Sequence, residues 1–593
     1  MKIKKGENML KVDKSFYQTD NDYNRDIYGE YEQEIKDYID KYKIEDYSQI
    51  IKQDKRTNIV SVFSEMRSNI IKWYPFDKNK NVLEIGANYG EITYELSKRC
   101  KEVTAIEFSE KKVECISKRL EETENVQVIL CSQLKNTNLQ KKYDYITLIG
   151  ISEYAKKIGF NDLEDMLKWA KEYLTENGKI LLALDNKFGV KYLAGSTRNK
   201  DEEKFANYRE HIHKDYQLYG KGELEKLLKN IEGINYKFYY PVPNYNLTHL
   251  IYTDNYLPQK SRYNIYYRED EEILFEESSF LKEAIKNDKF DFFTNSYLIE
   301  ISKNDLSNIC FVNYSNMRKK EYKIITQIAT DKVTKQAYRE EGQNHIIQIH
   351  KNINKLKELG FSVCEKYEED KILSPYILKP TMDEYLRKLL IYDKKQEFLA
   401  ELDKWFYYIK NKIPKANSEN TIFEKYKIQI DDKNKLTFLQ DGFIDLIFQN
   451  VFYDGSEYIL FDQEWYEEPL PLEFIMYRSI KQLFFVHREL EKKIKKEEIY
   501  SKYNLESYIE VFEKLEEAWQ EQLVDEEILK FYSEKWSRII SVEDIKFKNN
   551  QELGKVYLEK DNLQKEKNEI QKELNELKNG SRFYRWTKIF KKG

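Results

Sequence analysis

The clearest pattern of apolar and polar positions begins at Asn81. Val82, Leu83 and Ile85 form a short apolar run that stops at a glycine-bearing turn, and 91–100 then reads as a helix. The same switch recurs from 79 to 200. Apolar runs predict strands at 81–85, 102–107, 126–130, 144–149 and 179–184 with helices between them, the signature of a doubly wound α/β domain. Ahead of it, residues 1–75 are polar and then helical, with an apolar face in 59–73 that leads into the first strand. Behind it, 201–305 reads as an extension: a polar helical part, then an aromatic run from Tyr236 to Tyr245. Pro241 and Pro243 argue against a central strand there. That run serves either as an acceptor wall or as packing between domains.

From 308 the pattern changes. Apolar segments at 309–312, 322–328 and 332–338 read as a meander, followed by a helix over 341–359. Further on, Asp454-Gly455 between two apolar runs predicts a hairpin turn, which places Asn450 and Asp462 near the same end of that hairpin. After helical, aromatic-rich packing to 545, Val556, Leu563, Ile570 and Leu577 recur every seven residues, with Leu574 at a facing position and Lys560 and Lys567 at the others. Residues 550–579 therefore predict a weak coiled-coil seam, which suits a dimer or a trimer. Gly580 breaks that helix, and 580–593 carries five cations among five large apolar residues. Such a tail fits contact with a membrane surface or docking on a partner protein.

Composition adds bounds. A chain of 593 residues is too long for one core, so several domains are expected. Charged residues make up 34% yet the net charge is only -5, so no whole-chain field points to nucleic acid, which is disfavoured as a substrate. Cys100, Cys115, Cys131, Cys310 and Cys364 show no paired spacing, as expected of reduced thiols in a cytoplasm. The first 14 residues are polar and lysine-bearing and no run approaches 18 apolar residues, so neither a standard secretion signal nor a membrane span is expected.

The chemistry begins at the turn after the first strand. Glu84 ends that strand, and Gly86 and Gly90 let the backbone bend and approach a ligand. Glu107 ends the next strand, where an acid can take both ribose hydroxyls. These glycines are four apart, with Asn88 where a dinucleotide site often has its middle glycine, which favours S-adenosylmethionine over NAD. Ile151-Ser-Glu-Tyr154 and Asp185-Asn-Lys-Phe-Gly189 follow the fourth and fifth strands, at the edge where a methyl acceptor would bind. Glu84-Ile-Gly86-Ala-Asn88-Tyr-Gly90, Glu107 and Ile149-Gly-Ile-Ser-Glu-Tyr154 resemble the class I S-adenosylmethionine-dependent methyltransferases, over residues 76–200. That resemblance implies that Glu84, Gly86, Asn88 and Gly90 surround the methionine part, that Glu107 holds the ribose, and that Ser132 and Gln133 lie near the adenine. Tyr17, Tyr23 and Tyr28 would line a lid, if the first segment is a lid and not a solvated arm. His211 and His213 are nearby candidates for a base.

The second half carries its own resemblance. Phe443-Ile-Asp445, Asn450 five residues on, and Phe461-Asp462-Gln-Glu-Trp465 resemble the aminoglycoside-phosphotransferase-like branch of the protein-kinase fold, an α+β domain over 306–545. The resemblance implies Asp445 as the catalytic residue that orients an acceptor hydroxyl, and Asn450 and Asp462 as magnesium ligands. Lys335 would contact the phosphates of ATP, with Glu341 as its helix partner and 374–377 as the hinge strand. Phosphoryl transfer mostly needs metal, positive charge and in-line positioning. The chain departs from the pattern in having no glycine between Asn308 and Ile328 and no His-Gly before Asp445.

The order of methyltransferase, kinase-like domain, coiled coil and basic aromatic tail is similar to the bifunctional methyltransferase-kinases that terminate bacterial O-antigen polymannose chains. By that likeness the chain methylates a glycan or lipid-linked glycan intermediate, or its terminal phosphate, at the inner face of the cell membrane. Its partners would be glycan-assembly enzymes and further copies of itself. Two alternatives stand beside this reading: a small-molecule methyltransferase whose second domain is a catalytically dead scaffold, and a non-enzymatic protein of glycan assembly.

Overall fold

The computed structural model describes residues 10–17, 31–198, 202–209, 216–259, 271–417, 419, 421–526, 528, 538–539 and 551–572. Tyr23, Tyr28, His211, His213, Leu574, Leu577 and the tail 580–593 lie outside them.

The strands predicted in the first half are present: β2 (Asn81–Ile85), β3 (Glu102–Glu107), β4 (Val126–Cys131), β5 (Tyr143–Ile149) and β6 (Leu174–Asp185). They form a parallel array in the order β4-β3-β2-β5-β6, so the strand order reverses between β2 and β5. Helices cover both faces, which is why these strands read as unbroken apolar runs. Along β2, Leu83 and Ile85 enter one core cluster and Val82 enters the other. The helix Glu91–Arg99 begins straight after Gly90, which has φ 85°.

Three features depart from the sequence expectation. β1 (Lys11–Phe16) lies in the stretch read as a polar arm, and it adds to the sheet edge parallel to β4. Its positions are mostly exposed, so no apolar alternation marks it. The aromatic run does form a central strand, β7 (Asn235–Val242), with β8 (Leu250–Thr253) on one side and β10 (Ser296–Ser302) on the other. A two-residue strand β9 (Glu272–Ile273) lies outside this sheet. Pro241 is tolerated because β10 pairs with β7 only as far as Tyr239. Val242 turns its carbonyl toward β8, accepting from the His249 N–H at 2.8 Å. Alternation along the strand then aims the Pro241 nitrogen at the side β10 does not reach.

The third departure concerns the boundary at 305/306. β11 (Ile309–Tyr314) pairs with β8, and β12 (Ile324–Ala329), β13 (Lys332–Ala337), β15 (Lys371–Pro375) and β14 (Lys366–Glu368) follow, so among the described residues one fourteen-stranded sheet runs through both halves. The meander and the helix after it (Gln343–Glu358) are as expected. Beyond them Met382–Ile391, Lys395–Lys412, Leu472–Val486 and Ile509–Leu523 enclose a separate helical core around Trp405, Phe443 and Phe512. The hairpin is present as Val451–Phe452 against Ile459–Leu460. Residues 551–572 are helical with Val556, Leu563 and Ile570 all more than half exposed.

Candidate functional site

The strand order reverses between β2 and β5, and there the turns after both strands open onto one cavity of about 200 Å³. Gly86 takes φ 80°, and a Cβ added there would stand 2.8 Å from the Ile151 Cβ. Only glycine fits that position without moving the wall after β5. Asn88 is held at φ 52°, and its side-chain amide donates to Glu91 Oε1 at 3.1 Å. Glu107 Oε2 accepts the Asn88 N–H at 2.7 Å while its Oε1 accepts from Phe108 and Ser109 at 2.8 and 3.1 Å. Burial pushes the Glu107 carboxyl up, against Lys112 and those backbone donors. With one donor on Oε2, that oxygen retains a lone pair for a ligand hydroxyl.

Gly86, Asn88 and Glu107 line the cavity. Glu84 is buried and is not among the lining residues, and desolvation raises its carboxyl to about 8. Gly90 shapes the turn and starts the helix. Gln133 is not among the lining residues; its Oε1 packs over Gly159, 2.5 Å from where a Cβ would be. Tyr17 packs against the core, while Tyr31, Ile35, Asn58 and Val62 from the first segment close one side of the cavity.

The far wall includes Tyr154 and Asp185 from the two segments expected at the acceptor edge, but the cations around them were not legible as a motif. Lys191 pairs with Asp185 at 2.9 Å, and the Tyr192 hydroxyl donates to the other Asp185 oxygen at 2.7 Å. Burial pushes Asp185 up, but Lys191 and Arg198 outweigh it and hold the carboxyl below its ordinary range. Arg198 bonds Glu153 at 3.1 Å and stands over the Tyr154 and Tyr216 rings at 5.0 and 4.9 Å. Arg67 donates to the Tyr245 carbonyl at 3.3 Å, and Tyr245 packs its hydroxyl over Gly150. The aromatic run is thus a strand up to Val242, against the expectation, and its end with the residues after it lines the cavity at 244–247, in keeping with the wall reading.

In the second half, Lys335 on β13 contacts Asp462 directly and lies 3.6 Å from Glu365 and 3.5 Å from Glu464. Glu341 is exposed; the carboxylate beside Lys335 that was expected from it comes instead from Glu365, ahead of β14. The helix Gln343–Glu358 contributes His345, 3.5 Å from Glu464. Asn450 Nδ2 bridges the carbonyls of Asp445 and Asp462 at 3.3 and 3.2 Å. Asp445 is buried, its Oδ2 accepting from the Glu464 and Trp465 N–H groups at 3.1 Å, and desolvation raises it to about 7 despite Arg478. Among the described residues, no group of three or more His, Cys, Asp and Glu side chains is arranged as a metal site.

Comparison with known proteins bears on the first half. Residues 61–232 match the family model described as "Methyltransferase domain". A 62-residue stretch is 40% identical to an rRNA adenine N-6-methyltransferase of Limosilactobacillus reuteri, covering 10% of this chain and 25% of that protein. The chain thus spans about a quarter of the length of that curated relative. Similar solved structures include phosphoethanolamine N-methyltransferase 1 of Haemonchus contortus, with phosphoethanolamine and S-adenosylhomocysteine, at 18% identity, TM-score 0.25, 36% of this chain and 45% of that one. The plantazolicin methyltransferase BpumL, with S-adenosylhomocysteine, is similar at 16% identity, TM-score 0.26, 47% of this chain and 100% of that one. The parallel array, the glycine turn and Glu107 all fall within residues 61–232, the stretch that matches the methyltransferase domain model.

Proposed function

We propose that this domain transfers the S-adenosylmethionine methyl group to an anionic oxygen, the terminal phosphate of a glycan or lipid-linked glycan intermediate. The observation that carries the reading is the far wall of the cavity, where Arg67, Lys191 and Arg198 gather while Asp185 stays ionised. Methyl transfer from a sulfonium is an in-line displacement, so an acceptor that is already anionic needs alignment more than a base. A neutral hydroxyl acceptor would need a general base, and an ion-paired carboxylate with a lowered pKa is a poor one. In this reading Gly86, Asn88 and Gly90 shape the turn around the methionine part, Glu84 supports it, and Glu107 holds the ribose. Gln133 would reach the adenine only by turning from Gly159.

The second half would be a kinase-like domain that phosphorylates the acceptor before it is methylated. Lys335 would meet ATP phosphates, Asn450 and Asp462 would supply oxygen donors to magnesium, and Asp445 would act on the acceptor hydroxyl. The backbone N–H groups already capping Asp445 favour the alternative that this domain serves as a scaffold. The exposed apolar row Val556, Leu563 and Ile570 would join copies of the chain, and 580–593 would meet the inner face of the membrane or a glycan-assembly enzyme.

Radiolabelled S-adenosylmethionine incubated with a mannose oligosaccharide and with its terminally phosphorylated form tests the acceptor. Label on the phosphorylated form alone is expected; label on the unphosphorylated form, or on neither, overturns the phosphate reading. Adding magnesium-ATP should make the unphosphorylated form an acceptor, and failure of that step alone leaves the scaffold reading for the second half. Deleting 580–593 should release the protein from membrane fractions.

A further inference from the structure

A second cavity, of about 450 Å³, lies where the first segment, the helix Glu91–Arg99 and the segments between β11 and β12 and after β13 meet. Its size falls in the range of small-molecule sites, roughly 300–1,000 Å³. It shares a wall with the cofactor cavity: Arg67 and Glu91 line both. Glu91 also holds the glycine turn, accepting from the Asn88 amide and from the Tyr89 N–H, each at 3.1 Å.

The charge balance of the lining favours an anion. Among the described residues it carries seven Lys and Arg against five Asp and Glu. Its inner carboxylates already have cations. Glu65 takes Lys323 and, at 3.4 Å, Arg339; Glu95 takes Arg99 at 2.5 Å and Lys72 at 3.6 Å; Glu91 has Arg119 at 3.9 Å. Lys320 stands exposed at the rim. Tyr47, Phe63 and Met66 supply an apolar floor.

A second observation points to a ligand. Asn316 lines the cavity, is 4% exposed, and among the described residues its amide nitrogen has no hydrogen-bond partner. Its orientation is fixed by a chain of bonds. Asn69 Nδ2 faces the Thr248 carbonyl at 2.8 Å and also donates to Asn316 Oδ1 at 3.3 Å, so the NH₂ of Asn316 is the end left over. A buried donor without an acceptor is costly and is a group that a ligand oxygen would satisfy.

We propose that this cavity binds a small organic oxyanion, an apolar or aromatic body bearing a phosphate or carboxylate. Asn316, Lys320, Lys323 and Arg339 take the oxyanion, and Tyr47 and Phe63 take the body. Because Glu91 and Arg67 belong to both cavities, the ligand changes affinity for the cofactor, and the cofactor changes affinity for the ligand by the same factor. That coupling rests on the assignment of the first cavity to S-adenosylmethionine; binding itself does not.

Calorimetry on the full chain with phenyl phosphate, benzoate and inorganic phosphate tests the proposal. Phenyl phosphate or benzoate should bind at least tenfold more tightly than inorganic phosphate. The binding should weaken at least tenfold in Asn316→Asp and in Lys320→Glu, the latter an exposed position whose substitution does not disturb folding. It should persist in Lys191→Met, which alters only the acceptor wall of the first cavity. No binding by either organic anion, equal binding of inorganic phosphate, or loss in Lys191→Met with retention in Lys320→Glu overturns it. A Kd for S-adenosylhomocysteine that shifts severalfold with saturating phenyl phosphate supports the coupling, and an unchanged Kd removes that part alone. Failure to bind S-adenosylhomocysteine at all counts against the first cavity's assignment and leaves the phenyl phosphate result readable.

Discussion

The carboxylate of Glu107, at the end of β3, accepts the backbone N–H of Asn88, in the turn after β2, at 2.7 Å. One bond thus ties the two acid-bearing strand ends of the methyltransferase domain together and aims the remaining lone pairs of Glu107 into the cavity. Glu107→Gln keeps the size but offers one acceptor oxygen in place of two. Hydrogen bonds to a charged group contribute roughly 1.5–3 kcal/mol, so S-adenosylhomocysteine should bind about 10- to 100-fold more weakly. Calorimetry at neutral pH checks this, and an unchanged Kd removes Glu107 from the ribose.

Gly86 tests the shape of the same turn. Gly86→Ala places a methyl 2.8 Å from Ile151 Cβ at φ 80°, so it should lower both thermal stability and cofactor affinity. Ile151→Ala relieves the clash but not the backbone strain. The double variant should therefore recover part of the affinity lost in Gly86→Ala, and no recovery would mean that the wall after β5 is not what constrains the turn.

Glu84 predicts a pH dependence. Burial raises it to about 8 from an ordinary value of 4.5, so the folded state binds the proton more tightly than the unfolded state. Its contribution to stability is fully present below about 4.5 and is lost as pH rises through about 8. At roughly 1.36 kcal/mol per pKa unit the swing is several kcal/mol. Glu84→Gln should remove it, so the Tm of the variant relative to the parent should climb between pH 5 and pH 9. Parallel Tm profiles would show that Glu84 is ionised in the fold.

In the second half, Lys335 is the cation at the centre of Asp462, Glu365 and Glu464. Lys335→Met leaves the buried Glu365 and Glu464, and the half-exposed Asp462, without it, a change of about 3–5 kcal/mol. Asp462→Asn leaves Lys335 two carboxylates and should be much milder. Thermal unfolding should separate the two variants by several degrees, while both should lose magnesium-ATP binding if the domain binds nucleotide. Equal stability of the two would mean that solvent already compensates the cluster.

How much of this was legible in the sequence follows from which interactions are local. Val82 to Gly90 specified strand, turn and helix because a run buried on both faces, and a turn that requires positive φ, restrict residue choice within a few positions. The existence of the hairpin between Asn450 and Asp462 was legible for the same reason, since Asp454-Gly455 marks its loop, but its register was not: Val451 pairs with Leu460 and Phe452 with Ile459, which centres the loop one residue away from a two-residue turn at Asp454-Gly455. β1 was not, because an exposed edge strand needs no apolar alternation, and β7 was misread because Pro241 is excluded only where a neighbouring strand needs its N–H.

What tertiary structure alone decided is which distant residues meet. Glu365 in place of Glu341 beside Lys335, the cations Arg67, Lys191 and Arg198 in one wall, and the sheet that continues from β8 into β11 all depend on pairings between segments far apart in the chain. A salt bridge or a cavity wall asks only that some residue of the right charge arrive there, and many positions can supply it. The glycine turn, by contrast, is fixed by the conformation of its own backbone, and so the sequence by itself determined the cofactor turn while the fold determined what faces it.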